Sequence, residues 1–139
     1  MVVWQLADEV RQQTFALTAR PAFKRDLKLH SQTEDAAHSV CRNIAEGFGC
    51  TTHREMARFV VIARRSLNEL QDALIGASQK CYITREDLIP INGLLRRLYP
   101  AMGGWLAYLT RTDDPGPART GERRQDRTNK NPNRTGPRR

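Results

Sequence analysis

Three arginines carry the clearest chemistry in this sequence. Arg54, Arg58 and Arg65 fall within ~40° of one another at helical spacing, opposite an apolar face centred near Phe59 and Leu70. Along about 16 Å of helix, three guanidiniums suit a row of phosphates, each an electrostatic contact that reads little sequence. Asp72 at the far end dilutes the stripe, and an ordinary solvated face has the same look. What favours a polyanion is the chain's end, where Arg123, Arg124 and Arg127 sit among other basic residues, because Arg-rich arms bind nucleic acid. No aromatic residue interleaves with these tail arginines, so stacking on bases is not supported there.

Other reactive side chains form no working set. His38-x-x-Cys41 and Cys50-x-x-His53 are ligand types that zinc accepts. If one helix runs through Phe48, however, Cys41 stands ~12 Å from the turn carrying Cys50, too far for ligands that must all lie ~2.0–2.3 Å from one ion. No metal and no cofactor is expected. Arg25 and His30 share the Arg-x4-His spacing of some helical ribonucleases, a match that a chain this rich in arginine produces by chance. Glu46 has no His or Cys base arranged around it, and no Gly-rich phosphate loop follows a strand. The expectation is a protein that is not an enzyme.

The 139 residues allow one domain and exclude a large two-lobed cleft. Net charge is +8, and the apolar share of 39% lies below the usual ~45–50%. The composition changes after Arg111. Residues 112–139 hold eight basic residues, four acidic residues and four prolines, with Ala118 the only hydrophobic residue. Such a segment buries too little to offset its ordering entropy, so it is expected to be a disordered basic tail. The remaining half of the excess charge belongs to residues 1–111, the expected folded domain. The longest uncharged run, Leu98 to Thr110, is 13 residues, short of the ~20 a membrane span needs. The opening residues meet Asp8 and Glu9 at once, which does not fit a signal peptide. Three cysteines without framework spacing suit a reducing, cytoplasmic setting.

Residues 1–111 read as helices throughout, with no sustained alternation and no hairpin signal. A first helix carries Val3, Leu6, Val10 and Leu17 in one seam and stops near Arg20-Pro21. A second runs from about Lys28 to Phe48 and ends at Gly47/Gly49, which tolerate left-handed caps. A third starts at Thr52, with Glu55 completing a capping box, and continues to about Lys80. A fourth has Thr84 as N-cap with Glu86 and Asp87 in its first turn. The pattern predicts an all-α, antiparallel up-and-down four-helix bundle. The fourth helix spreads its apolar residues over roughly 180°, where one core face needs ~100°. Either Pro100 breaks it, or the surplus is buried in an oligomer through Leu98, Met102, Trp105, Tyr108 and Leu109.

The run Asn43-Ile44-Ala45-Glu46-Gly47-Phe48-Gly49 is distinctive, as is the Phe59-x-x-x-Ala63-x-x-Ser66-Leu67-x-Glu69-Leu70 pattern that follows it. Together with Val3-Trp4-Gln5, Leu29-x-Ser31-Gln32 and Tyr82-Ile83, they closely resemble the bacterial four-helix-bundle proteins encoded in intervening sequences of 23S ribosomal RNA genes, the S23-type proteins. The resemblance covers about residues 3–110. It departs from the family's usual pattern at Cys41, where proline is usual, at Glu34-Asp35, and at Pro100 with Gly103-Gly104. It implies an antiparallel bundle assembled as a homopentamer, RNA association, and no enzymatic activity. Accessory variability proteins of diversity-generating retroelements share that architecture and hold a reverse transcriptase. The runner-up expectation is therefore a protein-interaction scaffold or accessory subunit for such an enzyme. Within the motif, Gly47 and Gly49 should end the helix and Ala45 should permit close helix approach. Asn43 and Glu46 should hydrogen-bond to the first helix or to the turn.

Overall fold

A computed structural model describes residues 2–111. The expected tail, with Arg123, Arg124 and Arg127, lies outside the described residues. Those described are helical throughout, without a strand: α1 (Val2–Thr18), α2 (Pro21–Arg25), α3 (Leu27–Phe48), α4 (His53–Gln79) and α5 (Ile89–Arg111). The expected second, third and fourth helices are α3, α4 and α5. The short α2 was not foreseen, because Pro21 reads as a stop. Here it starts a new turn, as proline's fixed φ and missing N–H allow at the first helical position.

Local chemistry sets the ends. The Asp26 carboxylate accepts from the Leu29 N–H and caps α3. The Thr52 hydroxyl accepts from the Glu55 N–H and caps α4. Thr84 and Asp87 cap each other's backbone, Thr84 N–H to Asp87 Oδ2 at 2.7 Å and Asp87 N–H to Thr84 Oγ1 at 3.2 Å. This reciprocal pair closes the single 3₁₀ turn Glu86–Leu88 that leads into α5. At the end of α3 the expected left-handed cap is absent: Gly49 has φ −78° and ψ −9°. The left-handed residue is instead Cys81, φ 62°, just after α4. Its N–H bonds to Ser78 O while Tyr82 N–H reaches Ala77 O, which satisfies two orphan carbonyls.

α3 packs against α1 and α4, and α5 completes the set against α1 and α4. Their shared core holds Leu6 and Val10 of α1, Val40 and Ile44 of α3, Leu67 and Leu70 of α4, and Leu95, Leu98 and Met102 of α5. Phe23 from α2 is fully buried in the same core. Pro100 does not break α5, which continues through it on the exposed side. Nor is much of the α5 apolar surface left over. Leu98, Met102 and Leu109 are buried within the chain itself, Trp105 is half-buried, and Tyr108 is 50% exposed. Of the five residues expected at an oligomer contact, only Trp105 and Tyr108 have surface to offer.

Between α3 and α4, Ser39 Oγ and Ser66 Oγ lie 2.6 Å apart, and Asn43 Nδ2 donates to both Ser39 O and Ser39 Oγ. Asn43 thus ties its own helix to the α4 contact rather than reaching α1 or the turn. Ala45 and Glu46 are exposed. Gly47 is the buried motif residue facing α4, where an added Cβ would make ordinary van der Waals contact, 3.5 Å from Phe59 Cβ and 3.6 Å from Met56 O. Phe48 caps that end by stacking on Trp105.

Candidate nucleic-acid interface

Each arginine of the stripe is placed by the capped start of α4. Thr52 fixes the first turn, so Arg54, Arg58 and Arg65 follow at helical spacing on the side facing away from the core. A cation in a helix's first turn works against the helix dipole, at about 0.3–1 kcal/mol. Arg54 therefore does nothing for α4's stability, and it adds positive potential at that end.

The three arginines border one shallow groove of about 430 Å³ between α4 and α5. Ala57, Val61 and Leu106 supply its apolar floor, with Ile62 and Thr110 beside them. No carboxylate among the described residues lines it. Among the described residues none of the three guanidiniums makes an ion pair, so their charge is not spent inside the chain. The α5 wall, Leu106 and Thr110, was missed in the sequence. Its signal was there, since Leu106 and Thr110 are one turn apart, but which α5 face meets α4 is a tertiary fact.

Other candidate groups stay apart. His38 is exposed on α3, with its ring edge-on to Phe15 at 4.8 Å, whereas Cys41 is buried. Burial pushes the Cys41 thiol up, away from a ligating thiolate. The Cys50 thiol donates to Glu46 O, and His53 lies against the Tyr108 ring at 5.4 Å. Among the described residues no three His, Cys, Asp or Glu side chains gather as a metal site. His30 faces Glu34, at 3.4 Å, which also accepts from the Thr18 hydroxyl. No helix among the described residues is long and apolar enough to cross a membrane.

The deciding comparison is with protein families. The model of the 23S rRNA-intervening sequence protein family matches residues 1–103, which take in the Asn43–Gly49 run, the arginine stripe and most of α5. The chain belongs to that family. No curated protein matches it. The family name points to a nucleic-acid-related setting, the intervening sequences of 23S ribosomal RNA. Within the motif, Gly47 and Ile44 are structural: both are buried, and neither lines the groove.

Proposed function

We propose that the chain is a non-enzymatic protein that associates with RNA, or another nucleic acid, through the α4–α5 groove. The carrying observation is the set of three guanidiniums that, among the described residues, make no ion pair and border a groove without a carboxylate. Such a row attracts phosphates by charge and positions a backbone without reading bases. In this reading α1, α3, α4 and α5 form an antiparallel up-and-down bundle, and copies assemble as a homo-oligomer, a homopentamer by resemblance, in the cytoplasm. Trp105 and Tyr108 are its proposed contact residues. Arg123, Arg124 and Arg127 add affinity through their charge.

A second reading is a protein-interaction scaffold, for instance an accessory subunit of a reverse transcriptase as in diversity-generating retroelements. The apolar floor of Ala57, Val61 and Leu106 favours it, because phosphates need no such floor. One experiment separates the two. The native chain and an Arg54→Ala/Arg58→Ala/Arg65→Ala variant are titrated into a labelled structured RNA at low salt. The first reading requires the variant to bind at least tenfold more weakly while remaining folded. Equal binding by both forms removes the groove from nucleic-acid contact. Light scattering at micromolar concentration tests the assembly: a pentamer mass is expected, and a monomer contradicts it.

A further inference from the structure

A second groove runs between α1 and α3, about 330 Å³ in volume, lined by Trp4, Arg11, His38, Cys41, Arg42 and Ala45. Helix geometry assembles it. Trp4 and Arg11 are seven residues apart on α1, and His38, Arg42 and Ala45 follow at four and three on α3, so each set shares a face. The Trp4 ring is half-buried and packed against the core, which fixes it, while its remaining surface borders the groove. Small residues, Cys41 and Ala45, leave room beside it.

The charge is one-sided. Among the described residues no carboxylate lines this groove. Arg42 is exposed and makes no ion pair among the described residues. Arg11 is anchored by Asp8, which offsets its charge, so Arg42 is the principal cation. The larger neighbouring groove between α3 and α4, about 680 Å³, differs in kind. There Asp35, Glu69 and Asp72 face Arg42 and Lys80, and the carboxylates repel an anion. The α4–α5 groove has the opposite lack, since among the described residues no aromatic ring lines it. The α1–α3 groove sets the wide indole of Trp4, fixed against the core, beside the Arg42 guanidinium, the two parts that hold an unpaired nucleotide: a ring to stack the base and a cation for its phosphate. A groove along α5 also pairs a ring with a cation, Tyr99 with Arg96, but that ring is smaller and its hydroxyl is held by Asn68 and Gln71.

We propose that the α1–α3 groove binds an unpaired nucleotide of single-stranded RNA, with Trp4 as the stacking surface and Arg42 as the phosphate contact. The inference rests on the nucleic-acid reading of the chain and adds to it a requirement for unpaired RNA at a separate site.

The chain has two tryptophans, so in a Trp105→Phe protein Trp4 is the only one, and its fluorescence reports on this groove alone. The full chain carrying Trp105→Phe is titrated with a single-stranded RNA 12-mer, then with the same sequence as a blunt duplex. Fluorescence anisotropy of a label on the RNA follows total binding in parallel. Expected is saturable quenching of Trp4 by the single strand and little by the duplex. Adenosine monophosphate at equal nucleotide concentration should not reproduce it, and quenching as strong with the free nucleotide would overturn a site for RNA. Arg42→Ala, an exposed position, should shift the quenching midpoint upward by about tenfold. If Trp105→Phe fails to fold, Arg42→Ala in the native background is read by anisotropy, with about tenfold weaker single-strand binding expected and unchanged binding overturning the proposal. RNA that binds without quenching Trp4 overturns this inference and leaves the α4–α5 reading standing. Quenching that survives the Arg54/Arg58/Arg65 triple alanine variant with full affinity supports the inference and removes the α4–α5 reading instead.

Discussion

The indole of Trp105 stacks on the ring of Phe48, centroids 4.6 Å apart and planes 17° from parallel. This one contact joins the last residue of α3, at the end of the family motif, to the C-terminal half of α5. It explains why Phe48 stands beside two glycines: the chain must turn there, and the aromatic ring covers the end of the turn. Stacked aromatic pairs add about 0.5–1.5 kcal/mol beyond area burial. A double-mutant cycle with Phe48→Leu and Trp105→Leu should therefore return a coupling energy of about 1 kcal/mol in urea unfolding. Additive effects within about 0.3 kcal/mol would show that the rings touch without supporting each other.

Cys81 occupies the left-handed position after α4, where glycine is the usual residue. A side chain there costs roughly 1–2 kcal/mol of backbone strain, partly offset because glycine has more freedom to lose on folding. Cys81 is exposed, so removing its side chain opens no cavity. Cys81→Gly should raise stability by about 1 kcal/mol, visible as a higher Tm by circular dichroism. A lower Tm would mean that the thiol makes a contact worth more than the strain.

The connections at the other end are held by carboxylates. Arg20, after α1, grips both oxygens of Asp87, with Nη2 to Oδ1 at 2.8 Å, and Asp26 accepts from Lys80 Nζ and Tyr82 OH. The Arg20 guanidinium, with the Thr84 N–H, holds the Asp87 carboxyl well below the usual carboxylate range. The Leu29 N–H, then Lys80 and Tyr82, lower Asp26 in the same direction. A carboxyl whose folded pKa is depressed contributes its stability above its unfolded value, near pH 4, and loses it as pH falls through the folded value. Tm should therefore drop on acidification from about pH 5 to pH 2, and in Asp87→Asn that drop should be smaller while Tm at pH 7 is already lower. Solvent exposure keeps each effect modest. Parallel pH profiles for the two proteins would contradict the role given to Asp87.

Helix periodicity and capping residues made most of this fold legible. Thr52 and the apolar seams of α3 and α4 place those helices within one or two residues, whereas Thr84 opens the 3₁₀ turn Glu86–Leu88 and α5 begins only at Ile89. The misses share a physical cause. Pro21 and Pro100 read as breaks, yet one begins α2 and the other lies on the exposed side of a helix whose packing holds it. Gly49 reads as a left-handed cap, but the strained residue is Cys81, a position no propensity singles out. Leu98, Met102 and Leu109 read as surplus on a helical wheel because a wheel counts one helix at a time, and α5 meets both α1 and α4. At the site, the arginine stripe was visible from spacing, whereas the groove beside it depends on which face of α5 turns toward α4. Trp4 and Arg42 come from helices far apart in sequence, so nothing local connects them.

The central claim is that Arg54, Arg58 and Arg65 contact phosphates. Its most direct test is the slope of log Kobs against log salt for binding to one structured RNA, measured from 50 to 200 mM for the native chain and the triple alanine variant. Each phosphate contact contributes a slope of roughly −0.7 to −0.9. The account predicts a slope about 2 to 3 units shallower in the variant, with affinity at 50 mM salt falling at least tenfold. Identical slopes for the two proteins would contradict it.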